Sequence, residues 1–199
     1  ELQVDGSRIV ESETAKNLGV IFDRHLTFDT HIDDVVRRCN GLLIGLKHAK
    51  HCLPSDVIPT VINGLVLSIL RYCISVYGSA SKQNMHRIQK VLNFCARVVS
   101  GRRKFDHVSD VLAQFGWMPA HNMHIYRCIC LLRQVIASGE PVSIAASITT
   151  TGQVHERNTR ASERQLLRPP SIKTESGRRQ FVHRASTAYN ALPAPVRNG

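Results

Sequence analysis

The fold of this chain is decided by the stretch Leu18-Gly19-Val20-Ile21-Phe22-Asp23, which is followed by Leu26-Thr27-Phe28 and then by His31-Ile32. The pattern predicts a short strand, about Asn17 to Phe22, that ends in a turn. Apolar positions at helical spacing begin directly after the turn, so a long helix should start near Phe28. A strand, a turn and a helix start therefore follow one another without a linker.

Upstream of this stretch, apolar residues flank Asp5-Gly6 on both sides. Asp-Gly between apolar alternations predicts a β-hairpin, because a type I′ turn needs positive φ at both central residues. Three short strands alone make a thin sheet, so we expect them to pack on the helices behind them or on a partner domain. The strand pattern starts at Glu1, which is not Met, and we therefore expect a fragment of a longer protein.

Downstream, apolar residues recur at helical spacing along most of the chain. Ser81 is expected to cap a helix and Gly101 to end it. Residues 140–175 have weak periodicity and two adjacent prolines, and they are predicted to form a loop. The predicted helices are about Phe28–Ala49, Pro54–Gly78, Lys82–Ser100, Val108–Phe115, Ala120–Ala137 and Ser176–Tyr189. The predicted fold class is mainly α, a helical bundle preceded by a small N-terminal antiparallel β element.

The charge of the chain is strongly positive and unevenly placed. Its 199 residues are enough for one or two domains, and they carry a formal net charge of +11 with a pI near 9.9. Residues 1–34 hold eight acids and three bases, whereas residues 35–199 hold 23 bases and seven acids. This excess predicts a polyanionic partner, nucleic acid first and an acidic membrane second.

Cysteine spacing and the apolar runs bear on the cellular location. The six cysteines lack the C-x2-C spacing of metal sites, and no signal peptide precedes them. We interpret them as reduced thiols of an intracellular protein, in the nucleus, the cytoplasm or both. The longest apolar run, Val57 to Leu70, is too short to span a bilayer. Nucleic acid is the preferred polyanion, and no membrane partner is expected.

Several further motifs accompany the opening stretch. They are Cys52-Leu53-Pro54, the segment Leu67 to Cys73, Val76-Tyr77-Gly78-Ser79, and a final segment from Phe181 to Arg197. In this order and spacing they resemble the end of the reverse transcriptase of non-LTR (LINE-like) retrotransposons, and they cover nearly the whole chain. Tyr77 and Tyr189 stand where that family usually has Trp.

The resemblance implies a division of the chain and its partners. Residues 1–27 would be the end of the palm and primer-grip region, 28–139 a helical thumb-like bundle, and 140–199 a basic loop with a C-terminal helix. Leu18 and Gly19 would be primer-grip-like. The implied partners are an RNA/DNA template–primer duplex and a palm domain upstream of this chain.

Basic residues are the candidates for nucleic-acid binding, because Arg and Lys that project from helices contact phosphates. A solvated basic surface is an equally open interpretation. No aromatic interleaving suggests base stacking, so binding should be directed at the backbone. The candidates are Arg37, Arg38, Arg87, Lys90, Arg97, Arg102, Arg103 and Lys104. Further bases in the tail are Arg157, Arg160, Arg164, Arg168, Lys173, Arg178 and Arg179.

No catalytic or metal-binding residue is expected in this chain. Asp33-Asp34 lies in the first turns of a helix, where adjacent side chains point about 100° apart and would not converge on one metal ion. The family's catalytic aspartates are expected upstream, so Mg²⁺ is implied only for the intact enzyme and no cofactor for this chain. The group His121, His124, Cys128 and Cys130 lacks a zinc spacing, and we predict a buried thiol stripe with exposed histidines.

We therefore expect a fragment of a retrotransposon reverse transcriptase, an RNA-directed DNA polymerase. Its thumb-like helices would clamp template–primer, and it would be catalytically incomplete on its own. The alternative is a stand-alone basic helical domain that binds nucleic acid or another protein. Binding to duplexes that weakens with salt would favour a nucleic-acid role, and its absence at low salt a protein-interaction role.

Overall fold

A computed structural model describes residues 2–4, 7–9, 11–154 and 166–198. The protein is mainly α-helical with short antiparallel strand pairs, which confirms the predicted fold class. It divides into two compact units, residues 1–120 and residues 121–199. The assignment of residues 1–27, 28–139 and 140–199 to parts of a polymerase stays a prediction. Within the described residues, no helix is both long enough and apolar enough to cross a membrane.

The first hairpin is present as predicted. Strand β1 (Leu2–Val4) pairs antiparallel with β2 (Ser7–Ile9), and Val4 stands opposite Ser7. The Asp5-Gly6 turn itself lies outside the described residues.

The prediction of a single strand at about Asn17 to Phe22 is wrong in the number of strands and in where the strand begins. Two strands, β3 (Thr14–Asn17) and β4 (Val20–Asp23), form a second hairpin in which Asn17 stands opposite Val20. Leu18 and Gly19 make the turn, with φ of 45° and 83°. Positive φ at both central positions is the type I′ condition, which Gly meets readily and Leu does not. The Leu residue at the first position therefore hides the turn from the sequence pattern.

The link from this hairpin to the first helix is organised by Asp23. Its carboxylate accepts hydrogen bonds from the backbone N–H groups of His25, Thr27 and Phe28, at 3.0, 2.9 and 2.6 Å. Burial opposes the charge, but these donors outweigh it and hold the pKa of Asp23 below its ordinary value. Helix α1 (Asp29–Ala49) begins directly after Phe28, as predicted.

The predicted helix from Pro54 to Gly78 is broken. It consists of α2 (Ile58–Ile62), a π-helical turn (Asn63–Leu67), α3 (Ser68–Arg71) and α4 (Ile74–Tyr77). The chain becomes extended at Tyr72 and turns left-handed at Cys73, with φ of 53°. The carbonyl of Leu70 accepts a hydrogen bond from the buried hydroxyl of Tyr77 across this break. A continuous apolar run does not reveal such a break, because the stabilising partner is a side chain further along.

Helix α5 (Lys82–Ser100) has the predicted bounds and caps. The hydroxyl of Ser81 accepts the N–H of Asn84 at 3.2 Å, and Gly101 ends the helix with φ of 73°. Helix α6 (Ser109–Gln114) follows. The core of the first unit is formed by buried apolar side chains of α1 to α5, among them Ile32, Val35, Cys39, Leu43, Ile62, Leu67, Leu70, Ile74, Tyr77, Ile88, Leu92 and Cys95.

The second unit departs more from the prediction. After α7 (Ala120–Ser138), the expected loop holds α8 (Val142–Ala145), α9 (Thr151–Val154) and a strand pair, β5 (Thr149–Thr150) with β6 (Leu167–Arg168). The side chain of Asn190 fixes β6, because it donates to the carbonyl of Leu167 at 2.8 Å and accepts its N–H at 3.0 Å. The two partners are 23 residues apart, so local periodicity carries no sign of this strand.

The last predicted helix is also divided. It forms α10 (Glu175–Arg178) and α11 (Phe181–Asn190), because Gln180 leaves the helical region with ψ of 142°. A short helix, α12 (Ala194–Asn198), ends the described chain. The core of this unit contains Cys128, Leu132, Leu167 and Ala185.

Candidate nucleic-acid interface

A basic cleft lies in the first unit, where the end of α1, the end of α5 and the loop after α5 meet. It encloses about 720 Å³. The residues that line it are Lys47, Lys50, His51, Phe94, Arg97, Val98, Gly101, Arg102, Arg103 and Lys104. Four of the predicted binding residues are thus brought together, namely Arg97, Arg102, Arg103 and Lys104. None of the described lining residues is acidic, so the cleft suits an anion.

One wall of the cleft is held by Lys50. Its Nζ donates a 3.1 Å hydrogen bond to the carbonyl oxygen of Val98, in the last turn of α5. A cation at a helix C-terminus is favourable, because the last carbonyls have no partner within the helix. Lys50 therefore joins the end of α1 to the end of α5.

Arg97 and Arg102 build the loop that forms the other wall. Arg97 donates to the carbonyl oxygens of Arg103 and Asp106, at 3.0 and 3.1 Å. Arg102 donates to both carboxylate oxygens of Asp110 at 2.5 Å and to the carbonyl of His107 at 2.6 Å. This fork-like pairing lowers the pKa of Asp110 to about 2. Both guanidinium groups are therefore occupied by the protein itself.

Three cations of the cleft remain available for a ligand. Lys47, Arg103 and Lys104 are exposed, and their side chains make no hydrogen bond or ion pair within the described part of the chain. The Nζ of Lys104 lies 5.5 Å from the ring centroid of Phe105. These three side chains, rather than all the clustered bases, are the ones that can contact phosphates.

The other predicted binding residues lie outside the cleft. Arg37 and Arg38 approach the carboxylate of Asp34 at 2.6 and 3.7 Å, and Arg87 pairs with Asp33. Lys90 is exposed on α5. Among the tail bases, Arg157, Arg160 and Arg164 lie outside the described residues.

The sequence pattern missed Lys47, Lys50 and His51 as members of this site. Lys47 and Lys50 also suit the negative end of the α1 dipole, so their charge has a local explanation besides the cleft. Positions 47–51 hold two lysines and two histidines, and this cluster was a usable signal. Their meeting with the loop after α5 depends on the packing of α1 against α5, which periodicity alone does not predict.

Comparison with known proteins supports the resemblance stated from the motifs. The chain is 28% identical over 102 residues to a probable RNA-directed DNA polymerase from transposon BS of Drosophila melanogaster, and this match covers 50% of the chain. It is 29% identical over 115 residues, 54% of the chain, to the RNA-directed DNA polymerase from mobile element jockey of Drosophila funebris. It is 33% identical over 101 residues, 47% of the chain, to a probable RNA-directed DNA polymerase from transposon X-element of Drosophila melanogaster.

The chain is similar to the polymerases of non-LTR retrotransposons. The predicted resemblance is thereby confirmed. The matched part spans 11–12% of the length of these curated polymerases. No family profile and no solved structure matches the chain.

The motif residues of the retrotransposon resemblance contact one another around the β3–β4 hairpin. The hydroxyl of Tyr72 donates to the carbonyl of Leu18 at 2.6 Å, and the N–H of Ile21 donates to Nδ1 of His31 at 3.4 Å. The rings of His31 and Tyr77 meet edge to face at 4.9 Å. The Leu18 side chain itself is 83% exposed at the tip. The primer-grip-like role of Leu18 and Gly19 stays a prediction.

The group His121, His124, Cys128 and Cys130 lies on α7. No group of three described His, Cys, Asp or Glu residues could hold a metal ion. The predicted exposure of both histidines is wrong for His124, which is buried, while His121 is exposed. His124 accepts a 2.5 Å hydrogen bond from Arg184 of α11 and lies beside the Cys128 thiol. Burial lowers the pKa of Arg184 and raises that of Cys128.

Proposed function

We propose that this chain is the part of a retrotransposon reverse transcriptase that holds the template–primer duplex through its phosphates. The observation that carries the proposal is the basic cleft, with three exposed cations that make no hydrogen bond or ion pair among the described residues. In this proposal the palm of the parent polymerase, with its Mg²⁺ and catalytic aspartates, lies outside the chain.

The chemistry of the cleft favours the phosphate backbone over base edges. Arg103 and Lys104 are adjacent on a loop, and Lys47 projects from the end of α1 across the cleft. Cations on two sides of a groove can contact successive phosphates without reading the sequence. We therefore expect binding to tolerate any sequence and to weaken steeply with salt.

The test is the salt dependence of binding between the 199-residue chain and a labelled RNA/DNA hybrid duplex. The triple variant Lys47→Ala, Arg103→Ala, Lys104→Ala removes the available cations of the cleft. Each lost phosphate contact should reduce the slope of log K against log salt by about 0.9. The matched control is Lys16→Ala, Arg71→Ala, Lys82→Ala, which removes the same charge at exposed positions outside the cleft.

The two triple variants separate the candidate functions. A clear loss of affinity and slope in the cleft variant alone supports the proposal. Equal losses in both variants would show that only net charge matters. Absence of any duplex binding at low salt would favour the protein-interaction alternative.

Arg37 and Arg38 supply a second control. Both are paired with Asp34, so Arg37→Ala and Arg38→Ala should change duplex affinity far less than the cleft variant does.

A further inference from the structure

A second cavity adjoins the basic cleft within the first unit. It encloses about 570 Å³, a volume typical of small-ligand pockets. Its lining includes Gln89, Asn93, Arg97, Phe105, Leu112 and Trp117. We call it the Trp117 cavity. Arg97 borders both this cavity and the basic cleft, so the two sites are neighbours.

Trp117 lines this cavity and carries an unused hydrogen-bond donor. Trp117 is only 2% exposed, and its Nε1 has no acceptor among the described residues. A buried indole N–H usually finds a partner, so an unpaired one calls for an explanation. The ring of Phe115 lies against the indole, with centroids 5.3 Å apart. The donor is thus held in place and suits a carbonyl oxygen or ring nitrogen of a ligand.

Phe105 contributes an aromatic face at the same cavity. Its side chain is 88% exposed, which is unusual for a large apolar residue, and it directly follows the cations Arg103 and Lys104. An aromatic ring next to phosphate-binding cations is the arrangement on which unpaired bases stack. Phe105 is a local sequence signal for base stacking that was overlooked, whereas Trp117 lies 13 or more residues from Arg102, Arg103 and Lys104 in the sequence.

Amide groups supply further polar contacts. Gln89 donates to the Oδ1 of Asn93 at 2.9 Å, and its own Oε1 accepts the N–H of Ala120 at 2.9 Å. These bonds fix the orientation of the Asn93 amide, whose nitrogen donates no hydrogen bond among the described residues. The lining therefore combines apolar walls, an aromatic face and two donors, which matches a heteroaromatic base with acceptor atoms.

We propose that the Trp117 cavity takes up the base of an unpaired nucleotide whose phosphates lie in the basic cleft. This inference rests on the proposed function and adds the nucleic-acid form that the cleft prefers, a strand with at least one unpaired base. The base stacks on Phe105, and an acceptor on its edge receives the N–H of Trp117.

The intrinsic tryptophan fluorescence of the chain comes from this site, because Trp117 is its single tryptophan. The probes are a short single-stranded oligodeoxynucleotide, an abasic strand with the same number of phosphates, and a blunt duplex. We expect saturable quenching or shift of the Trp117 fluorescence with the first probe only. The abasic strand should still bind, as measured by anisotropy of an end label, because its phosphates occupy the cleft.

Two variants test the residues themselves. Phe105→Ala, at an exposed position, should lower the affinity for the base-bearing strand by roughly 5- to 150-fold. The affinity for the abasic strand should not change. Trp117→Phe should also lower the affinity for the base-bearing strand alone, because it removes the indole donor. Anisotropy of the labelled strand measures this affinity. Tyr126→Ala, at an exposed aromatic residue outside the cavity, is the matched control and should change neither affinity.

The outcomes distinguish this inference from the proposed function. Equal binding of the abasic and base-bearing strands, with unchanged fluorescence, would overturn the base pocket and leave the phosphate cleft standing. Equal fluorescence changes with the blunt duplex would overturn the preference for unpaired bases. Absence of binding by every probe would overturn both the cleft and the pocket.

Discussion

The hydroxyl of Tyr72 donates a 2.6 Å hydrogen bond to the carbonyl oxygen of Leu18, which lies 54 residues earlier in the chain. Tyr72 is the residue at which the chain becomes extended directly after α3, and Leu18 is the non-glycine residue with positive φ at the hairpin tip. Two local departures from regular structure are thus held together. The contact joins the β3–β4 hairpin to the helical bundle.

Replacement of Tyr72 by Phe should loosen this hairpin without unfolding the protein, because it removes one partly exposed hydrogen bond. Hydrogen exchange of the amides in Thr14–Asp23 should speed up roughly two- to tenfold. Amides of α5 serve as the internal control and should exchange as in the wild type. Unchanged exchange in the hairpin would show that the Leu18 contact does not stabilise it.

Two glycines should respond to alanine in opposite ways. Gly19 has φ of 83°, and an added Cβ would lie 3.4 Å from the Tyr72 ring, so Gly19→Ala should lower the free energy of unfolding by about 1–2 kcal/mol. Gly45 lies in α1 with open space around it, so Gly45→Ala should raise that free energy by about 0.5–1 kcal/mol. Chemical denaturation measures both. A loss of similar size in the two variants would contradict this account of the turn.

The stability of the first unit should fall as the pH drops below neutrality because of His31. Burial lowers the pKa of His31, with Asp34 opposing and Arg38 adding to this effect. The folded state keeps the ring neutral, so that Nδ1 can accept the N–H of Ile21. Below about pH 6.5 the unfolded chain binds a proton that the folded chain does not, and stability is lost.

The variant His31→Asn isolates the contribution of His31 to the pH dependence. All other histidines are present in both the wild type and the variant, so their contributions cancel in the comparison. Between pH 7 and pH 5, the wild type should lose more free energy of unfolding than the variant does. Parallel pH profiles for the two proteins would exclude His31 as the cause.

Asp110 should titrate with a midpoint near pH 2, because Arg102 stabilises its charged form. Its pKa lies below the unfolded value, so its stabilising effect is present above about pH 4 and is lost as the pH falls through about 2. The carboxyl carbon shift measured by NMR follows this step. In Arg102→Gln the midpoint should move up toward the ordinary value for Asp, and a wild-type midpoint near 4 would contradict the pairing.

The chain alone should not extend a primer, even with Mg²⁺ and all four deoxynucleotides. Two-metal polymerisation needs carboxylates that converge on the metal ions. Asp34 instead pairs with Arg37 and Arg38 of α1, and Asp33 pairs with Arg87 of α5. A gel-based primer-extension assay measures this. Synthesis that depends on Mg²⁺ and persists in Asp33→Asn, Asp34→Asn would show that the active site lies elsewhere in this chain.

Helices with strong local signals were predictable to within a residue. α5 has its Ser81 cap and its Gly101 end where the capping rules put them, and α1 begins after Phe28 as expected. The breaks were not predictable. The turn at Leu18 and the strand β6 are each stabilised by a side chain that is distant in sequence. The left-handed Cys73 is spanned by the hydrogen bond from Tyr77 to Leu70, which is a side-chain contact that apolar periodicity does not encode.

The candidate binding residues were likewise predictable only in part. Basic residues could be listed from the sequence, but their electrostatic partners could not. Asp33 neutralises Arg87 and Asp110 neutralises Arg102, whereas Lys47, remote in sequence, joins Arg103 and Lys104. Likewise the Trp117 cavity forms only when the loop after α5 folds back beside that helix.

By itself, the sequence determined the helical class, the caps of α5, the positive charge and the resemblance to retrotransposon polymerases. All of these depend on residue type and on spacing within a few turns, which local backbone energetics and composition govern. Only the tertiary structure decided which cations stay available and where an indole N–H is left without an acceptor. Those properties depend on which distant groups meet, because pairing and burial act through space and not along the chain.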